Sequence, residues 1–276
     1  MLPKREEHTD VERYAPPKPL PFGVYAHNRG VVTPQYAVMP PEGILPSRLP
    51  GFERTTVFFL TSPEMGAHFA QAALEIEPGG GTTASRNDGL EHFFYLVSGA
   101  VTLGIDGTSH DLTPHGYAYV PTGHHYDIRA GGDGPCRLIW IKRPYSQIDL
   151  PIPAPLVDHR DNVERMRAHT QGRYWQYLLP VEDLAFDMHV NVLGFEPGTY
   201  FPCVETHIME HGLYMLEGQM LYQLAGDWHE VKADDFIWMS HYCPQFCFCT
   251  GWGEAAYLLY KDVNRDISFP APTGRR

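Results

Sequence analysis

Glu205, His207 and His211 stand in the order E-x-H-x3-H, and Gln245 follows further along the chain. Two imidazoles, a carboxylate and an amide oxygen form a mixed N/O donor set. Such a set suits Mn²⁺ or Fe²⁺ and admits Zn²⁺, and no thiolate draws it towards a softer metal. Glu205 and His207 are i, i+2, so on a strand both side chains leave the same face. His211 lies four residues past His207, ~13 Å away if the chain is extended at about 3.3 Å per residue. It joins the set only if the chain turns within Ile208-Met209-Glu210.

Competing readings use the same residues. His207 to His211 spells H-x-x-E-H, a metalloprotease pattern that requires a helix. Gly212 and the strand-like Tyr214-Met215-Leu216 follow at once, and Val204 and Thr206 are β-branched, which argues against a helix. The bland alternative is a set of ordinary polar strand residues. Cys243, Cys247 and Cys249 admit a thiolate metal site but read first as small apolar strand residues. The other cysteines are Cys136 and Cys203. An odd number with no CxxC pair predicts free thiols in a reducing compartment.

An internal repeat supplies a control. At an offset of 119 residues, Glu91, His92, Tyr95 and Gly99 match Glu210, His211, Tyr214 and Gly218, and Lys142 matches Lys261. Leu74, Glu77, Pro78 and Gly79 match Leu193, Glu196, Pro197 and Gly198 in the same register. The offset turns Glu205, His207, His211 and Gln245 into Arg86, Asp88, His92 and Tyr126. A guanidinium stays charged and has no acceptor, so Arg86 is no ligand. Only the second copy is expected to hold a metal, with the first as scaffold. Glu210, matched by Glu91 in the metal-free copy, reads as structural. His124, His125, His229 and His241 fall outside the pattern and read as surface or hydrogen-bonded histidines. His241, four residues before Gln245, stands nearest the site.

The elements that must position these residues are strands. HFFYLVSGAVTLGIDGTSHDL and YMLEGQMLYQLAGDWHEV are short apolar pieces broken by Ser98-Gly99, Asp106-Gly107, Glu217-Gly218 and Ala225-Gly226. YAYVP and FIWMS continue them. Strands at this spacing with Gly turns predict a sandwich or barrel. The frame resembles the double-stranded β-helix of the cupins, a small jelly roll, present twice in an all-β bicupin. Gly198, the E-x-H-x3-H set and Gly218 follow the first cupin motif with carboxylate and imidazole positions exchanged. Asp235 to Gln245 has the spacing of the second motif, with Ser240, Tyr242 and Gln245 where Pro, Gly and the ligand His would stand. The first copy keeps Gly116, Pro121 and Gly123. The expected organisation is an arm over 1–50 whose first 22 residues are Pro-rich, flexible or packed on a partner. A first cupin over 51–145, a linker over 146–180 with room for a short helix within Asp158 to Gln171, a second cupin over 181–268 and a tail over 269–276 follow.

The 276 residues carry 21 Lys+Arg against 33 Asp+Glu, a net charge of −12, without basic runs. That balance argues against nucleic-acid or anionic-membrane partners and leaves room for a small anion met by one local cation. No stretch approaches a membrane span, and the chain is expected to be cytoplasmic and soluble.

The motifs E-T-H-I-M-E-H-G-L-Y-M-L-E-G-Q, W-x-x-V-x-x-x-D-F-I-W-M and Y-L-L-Y-K-D-V-N-R-D resemble those of the (S)-ureidoglycine aminohydrolase family. So do V-V-T-P…L-P-G-F-E around Val32 to Glu53 and E-H-F-F-Y-L-V-S-G. The likeness runs from about Gly30 to Asp266 and departs mainly in the first 22 residues. It implies a manganese enzyme that hydrolyses (S)-ureidoglycine to (S)-ureidoglycolate and ammonia in purine (allantoin) breakdown. Residue by residue, it implies Glu205, His207, His211 and Gln245 at the metal and Tyr257 and Lys261 at the substrate, with Glu205 and Gln245 also reaching substrate. Lys261 is then the point cation for the substrate carboxylate. Its rival reading is an exposed strand-end lysine like Lys142. Glu205 is a candidate proton shuttle, and Tyr222, on the following strand, a candidate helper. Attack by metal-activated water and departure of ammonia before water addition are both open. A homo-oligomer is expected. An iron-dependent cupin dioxygenase or isomerase shares the two-His, one-carboxylate set, and a non-enzymatic small-ligand bicupin is the third class.

Overall fold

The computed structural model describes residues 29–167 and 171–267. The Pro-rich stretch over 1–22 and the tail over 269–276 lie outside the described residues. The rest is strand joined by turns and short 3-10 segments.

In the first unit, Glu91–Ser98 lies between Gly116–Val120 and Cys136–Arg143, and Ala70–Thr82 and Phe52–Thr61 extend that sheet. The facing layer is Thr108–Leu112, Ala100–Ile105 and Tyr126–Gly131. Ala70–Thr82 passes from one layer to the other, where Gly81 pairs with Arg129. Gly81 has φ 137°, and a Cβ there would strike the Ile128 carbonyl, so only glycine fits the crossing. In the second unit, Phe236–Met239, His211–Glu217, Ala255–Asp262, Met188–Phe195 and Arg173–Tyr177 form one layer. Asp227–Lys232, Gln219–Leu224 and Gln245–Cys249 form the other.

The repeat is therefore a repeat of structure, a jelly roll present twice. Asp106-Gly107 and Ala225-Gly226 both have positive φ at each residue, which matches the twist of a two-residue hairpin. Lone bridges join Arg86 to Tyr126 and Glu205 to Gln245, in the same places of the two units.

Three cores follow from side-chain alternation. On Ala255–Asp262, Ala256, Leu258 and Tyr260 face the first unit, whereas Tyr257 and Leu259 face the interior of the second. The shared core packs Phe93, Tyr119 and Ile141 with Met188, Tyr214 and Trp238. Leu74, Phe94, Leu103 and Trp140 fill the first barrel. These central strands read as unbroken apolar runs because both of their faces are buried.

Two expectations about the connecting segments change. Within the expected arm, Val31–Val32 and Tyr36–Met39 form a hairpin that pairs with Phe236–Met239 of the second unit. Tyr36-Ala37-Val38 is fully buried there and covers a sheet edge, and Arg29 anchors it with two hydrogen bonds to Asp235, at 2.5 and 2.9 Å. Within the expected linker, Leu156–His159 pairs with Gly116–Val120 and Arg173–Tyr177 with Met188–Phe195. Among the described residues, the helix expected within Asp158 to Gln171 is only a 3-10 turn, Arg160–Asn162. The Arg160 guanidinium is buried on Gln176 and Tyr174, which fixes the turn beside its one 3-10 bond, from the Val163 amide to the Arg160 carbonyl at 3.0 Å.

Candidate metal centre

Glu205, His207, His211, Tyr222, Gln245, Tyr257 and Lys261 all line one cavity of about 130 Å³ inside the second barrel. Strand ends bring them there. His211 opens one strand and Gln245 another, and the Glu205 amide and carbonyl pair with Gln245 at 2.8 and 2.9 Å. His211 lies opposite Lys261 across the sheet, and Tyr257, four residues before Lys261, shares its face.

The chain does turn between His207 and His211. The Glu210 amide donates to Asp262 at 2.5 Å, the His241 ring to the Ile208 carbonyl at 2.5 Å, and the Tyr242 amide to the His207 carbonyl at 2.8 Å. His207 Nε2 and His211 Nε2 end 3.2 Å apart. No helix forms over these residues, which removes the metalloprotease reading.

His211 Nδ1 donates to the Glu210 carbonyl at 2.9 Å, so its Nε2 lone pair faces the cavity. Burial holds the His211 pKa well below its ordinary value, with His207 and Lys261 adding to the effect. Burial also lowers His207, against a pull upward from Glu205. Both rings are therefore neutral near pH 7, the form that binds metal. His207 Nδ1 is buried without a partner among the described residues, and the Gln245 amide nitrogen lies 2.9 Å from His207 Nε2. Two neutral imidazoles this close satisfy each other through at most one N–H and leave a buried nitrogen orphaned. A cation held by both Nε2 lone pairs replaces that Nε2–Nε2 contact, while His207 Nδ1 then carries the ring proton, and the Glu205 carboxylate and the Gln245 amide oxygen complete the donor set. Tyr222 donates to Gln245 Oε1 at 3.4 Å and lies 3.5 Å from the Tyr257 hydroxyl. A hydroxyl also accepts, so the amide can present either end to the imidazoles.

Two opposite charges share the cavity. Among the described residues, neither the Glu205 carboxylate nor the Lys261 ammonium makes a hydrogen bond or a close ion pair. Burial lowers the Lys261 pKa and Glu205 opposes the shift. Lys261 Nζ lies 5.5 Å from the centre of the Trp175 ring, a cation–π contact that costs it no hydrogen-bonding capacity.

The equivalents in the first unit satisfy one another instead. His92 bonds Asp88 at 2.9 Å and accepts from Trp140 at 3.0 Å, and Lys142 lies 3.7 Å from Asp88. Arg86 reaches the Pro50 carbonyl and lies over Phe52. Cys243, Cys247 and Cys249 are buried with thiol pKa values raised by burial, to about 11 for Cys243, and belong to the apolar core. Trp175, Phe201 and Met209, absent from the sequence-based site, also line the cavity. Trp175 sits in the stretch read as linker, and the aromatic alternation of Arg173–Tyr177 was the available signal of a strand.

Residues 73–142, within the first unit, match the cupin domain family. Over 245 residues the chain is 32% identical to the (S)-ureidoglycine aminohydrolase of Escherichia coli (strain K12), covering 87% of this chain and 93% of that protein. The (S)-ureidoglycine aminohydrolase of Arabidopsis thaliana is 30% identical over 239 residues, covering 86% and 79%. The crystal structure of the protein Ylba from E. coli aligns with a TM-score of 0.80 at 30% identity, covering 88% of this chain and 97% of that one.

Proposed function

This chain belongs to the (S)-ureidoglycine aminohydrolase family, and from that premise we propose that its second barrel hydrolyses (S)-ureidoglycine to (S)-ureidoglycolate and ammonia with a bound divalent cation, Mn²⁺ first. The observation that carries the reading is that Glu205 and Lys261, opposite charges without a close ion pair among the described residues, share one cavity with two facing imidazoles.

The substrate carbon bears an amine, a ureido nitrogen and a carboxylate. The reaction breaks the carbon–amine bond, forms a carbon–oxygen bond to water, and moves one water proton to the departing amine. Glu205, His207, His211 and Gln245 would hold the metal, which supplies Lewis acidity when bound. Lys261 is the counter-ion for the substrate carboxylate. Burial lowers its pKa, Glu205 opposes that shift, and the Trp175 face helps fix its position. Glu205 would take a proton from water with one carboxylate oxygen and return it to the amine. That proton count is the same whether water adds before or after ammonia leaves. Tyr222 and Tyr257, buried and neutral, offer hydroxyls for the ureido group and exclude bulk water.

The deciding experiment adds (S)-ureidoglycine to metal-defined protein and follows ammonia release and product chirality. The expected result is Mn²⁺-dependent formation of the S product. No acceleration over the spontaneous reaction with Mn²⁺ present overturns the reading.

A further inference from the structure

The repeat exposes a second constellation where the two units meet. In the first unit Glu91 is fully buried. The Tyr119 hydroxyl donates to it at 2.7 Å, and the Arg143 guanidinium lies 3.7 Å from both Glu91 and Asp187, which the second unit contributes. The offset of 119 converts Glu91, Tyr119 and Arg143 into Glu210, Trp238 and Asp262, and relates Asp187 to His68 of the first unit. The same arrangement recurs in space. The Trp238 indole donates to buried Glu210 at 2.8 Å, and the His68 amide donates to its carboxylate at 3.0 and 3.2 Å.

One member changes the chemistry. Where the first cluster has Arg143, the second has Asp262, whose carboxylate accepts the Glu210 amide. Among the described residues no lysine or arginine ion-pairs with Glu210, so the Arg143 cation of the first cluster has no counterpart in the second. Two imidazoles stand there instead. His68 Nδ1 is 3.4 Å from Glu210, and His241 packs against His68 with ring centres 5.2 Å apart. Ligand atoms of His68, Glu210 and His241 all lie within 4.8 Å of one another. His241 donates its Nδ1 proton to the Ile208 carbonyl, which leaves the Nε2 lone pair for coordination.

We propose that His68, Glu210 and His241 form a second divalent-cation site of Zn²⁺ type, outside the catalytic cavity, in which the metal takes the place of the Arg143 charge. Two imidazoles and a carboxylate are a borderline donor set that suits Zn²⁺. The His68 side chain is 67% exposed, so the site opens to solvent and keeps room for a water ligand. Glu210 and His211 are consecutive on an extended chain and leave it on opposite faces, which separates this site from the cavity. The cation would join the first unit, through His68, to the turn that carries Glu205 and His207.

Metal-stripped full-length protein, loaded with Zn²⁺ alone and desalted, provides the test by zinc content per chain. Wild type is expected to hold one equivalent more than His68→Asn and one more than His241→Gln, whatever the catalytic cavity itself retains. Co²⁺ loading should show the matching loss of visible absorption in both variants. Equal zinc content in wild type and folded His68→Asn overturns the site. His68 is exposed, so its variant decides the matter even if the His241 variant fails to fold.

Discussion

Glu205 and Gln245 are joined backbone to backbone at 2.8 and 2.9 Å, and the same bridge joins Arg86 and Tyr126 in the first unit. The frame that delivers the cavity residues is thus independent of what those residues are. In one copy it carries a carboxylate and an amide towards two imidazoles; in the other it carries a phenol into a filled core and a guanidinium to the Pro50 carbonyl and the Phe52 ring. Chemistry and fold are separable here, and side-chain changes in the cavity should spare the fold.

Glu205→Gln tests that separation. The carboxylate makes no hydrogen bond among the described residues, so the melting temperature should stay within a degree or two of wild type. Turnover should fall about 10²- to 10⁴-fold, the usual contribution of a positioned acid–base group. Ammonia release at matched metal content is the measurement. Full turnover with metal bound would remove Glu205 from the proton path.

Lys261→Met should raise KM for the anionic substrate more than it lowers kcat. A hydrogen bond to a charged group contributes about 1.5–3 kcal/mol, which corresponds to roughly ten- to a hundred-fold in kcat/KM. The pH profile adds a second check. Burial lowers the Lys261 pKa from 10.5, so the wild-type alkaline limb should begin below that value as the ammonium is lost. An unchanged KM in the variant would return Lys261 to the strand-end reading.

That Glu205, His207, His211 and Gln245 share one cavity was legible from the E-x-H-x3-H spacing and from the repeat, which gave each residue a counterpart to be compared with; the strand expected under Glu205-x-His207 is only a single bridge, from Glu205 to Gln245. The strands and their Gly turns were legible for the same local reason. Trp175 was not, since a Pro-rich start to the linker masked the strand at its end. The pairing of Tyr36–Met39 with Phe236–Met239 was not legible either, because an edge strand far away in sequence leaves no local periodicity that names its partner. The Glu210 cluster needed three dimensions. His68 and Asp187 exchange units, a relation that only the packed interface reveals.

Glu91→Gln should change how stability depends on pH. Burial, then Asp187, raises the Glu91 pKa from 4.5 to about 9. In the folded protein Glu91 therefore keeps a proton that the unfolded chain has released. Its favourable contribution is complete below pH 4.5 and is lost progressively as pH rises towards 9. The variant cannot ionise, so it should match wild type near pH 4.5 and exceed it increasingly at pH 7 and 9. Urea midpoints at those three values measure the difference. A difference that does not grow with pH would mean that Arg143 holds Glu91 ionised throughout.

Tyr222→Phe should weaken metal binding without touching a ligand. The Tyr222 hydroxyl is buried and is the partner of both Gln245 Oε1, at 3.4 Å, and the Tyr257 hydroxyl, at 3.5 Å. Removing it frees the Gln245 amide to rotate away from the imidazoles and leaves the Tyr257 hydroxyl without that contact. Loss of a partner that orients a ligand typically costs 10- to 100-fold in metal affinity. Stranding a buried polar group should also lower stability by about 1–3 kcal/mol. Mn²⁺ titrated into stripped protein, with free Mn²⁺ followed by electron paramagnetic resonance, reads the first effect, and urea unfolding of the metal-free form reads the second. Wild-type Mn²⁺ affinity in this variant would show that Gln245 is held by its own backbone bridge to Glu205 or does not ligate the metal.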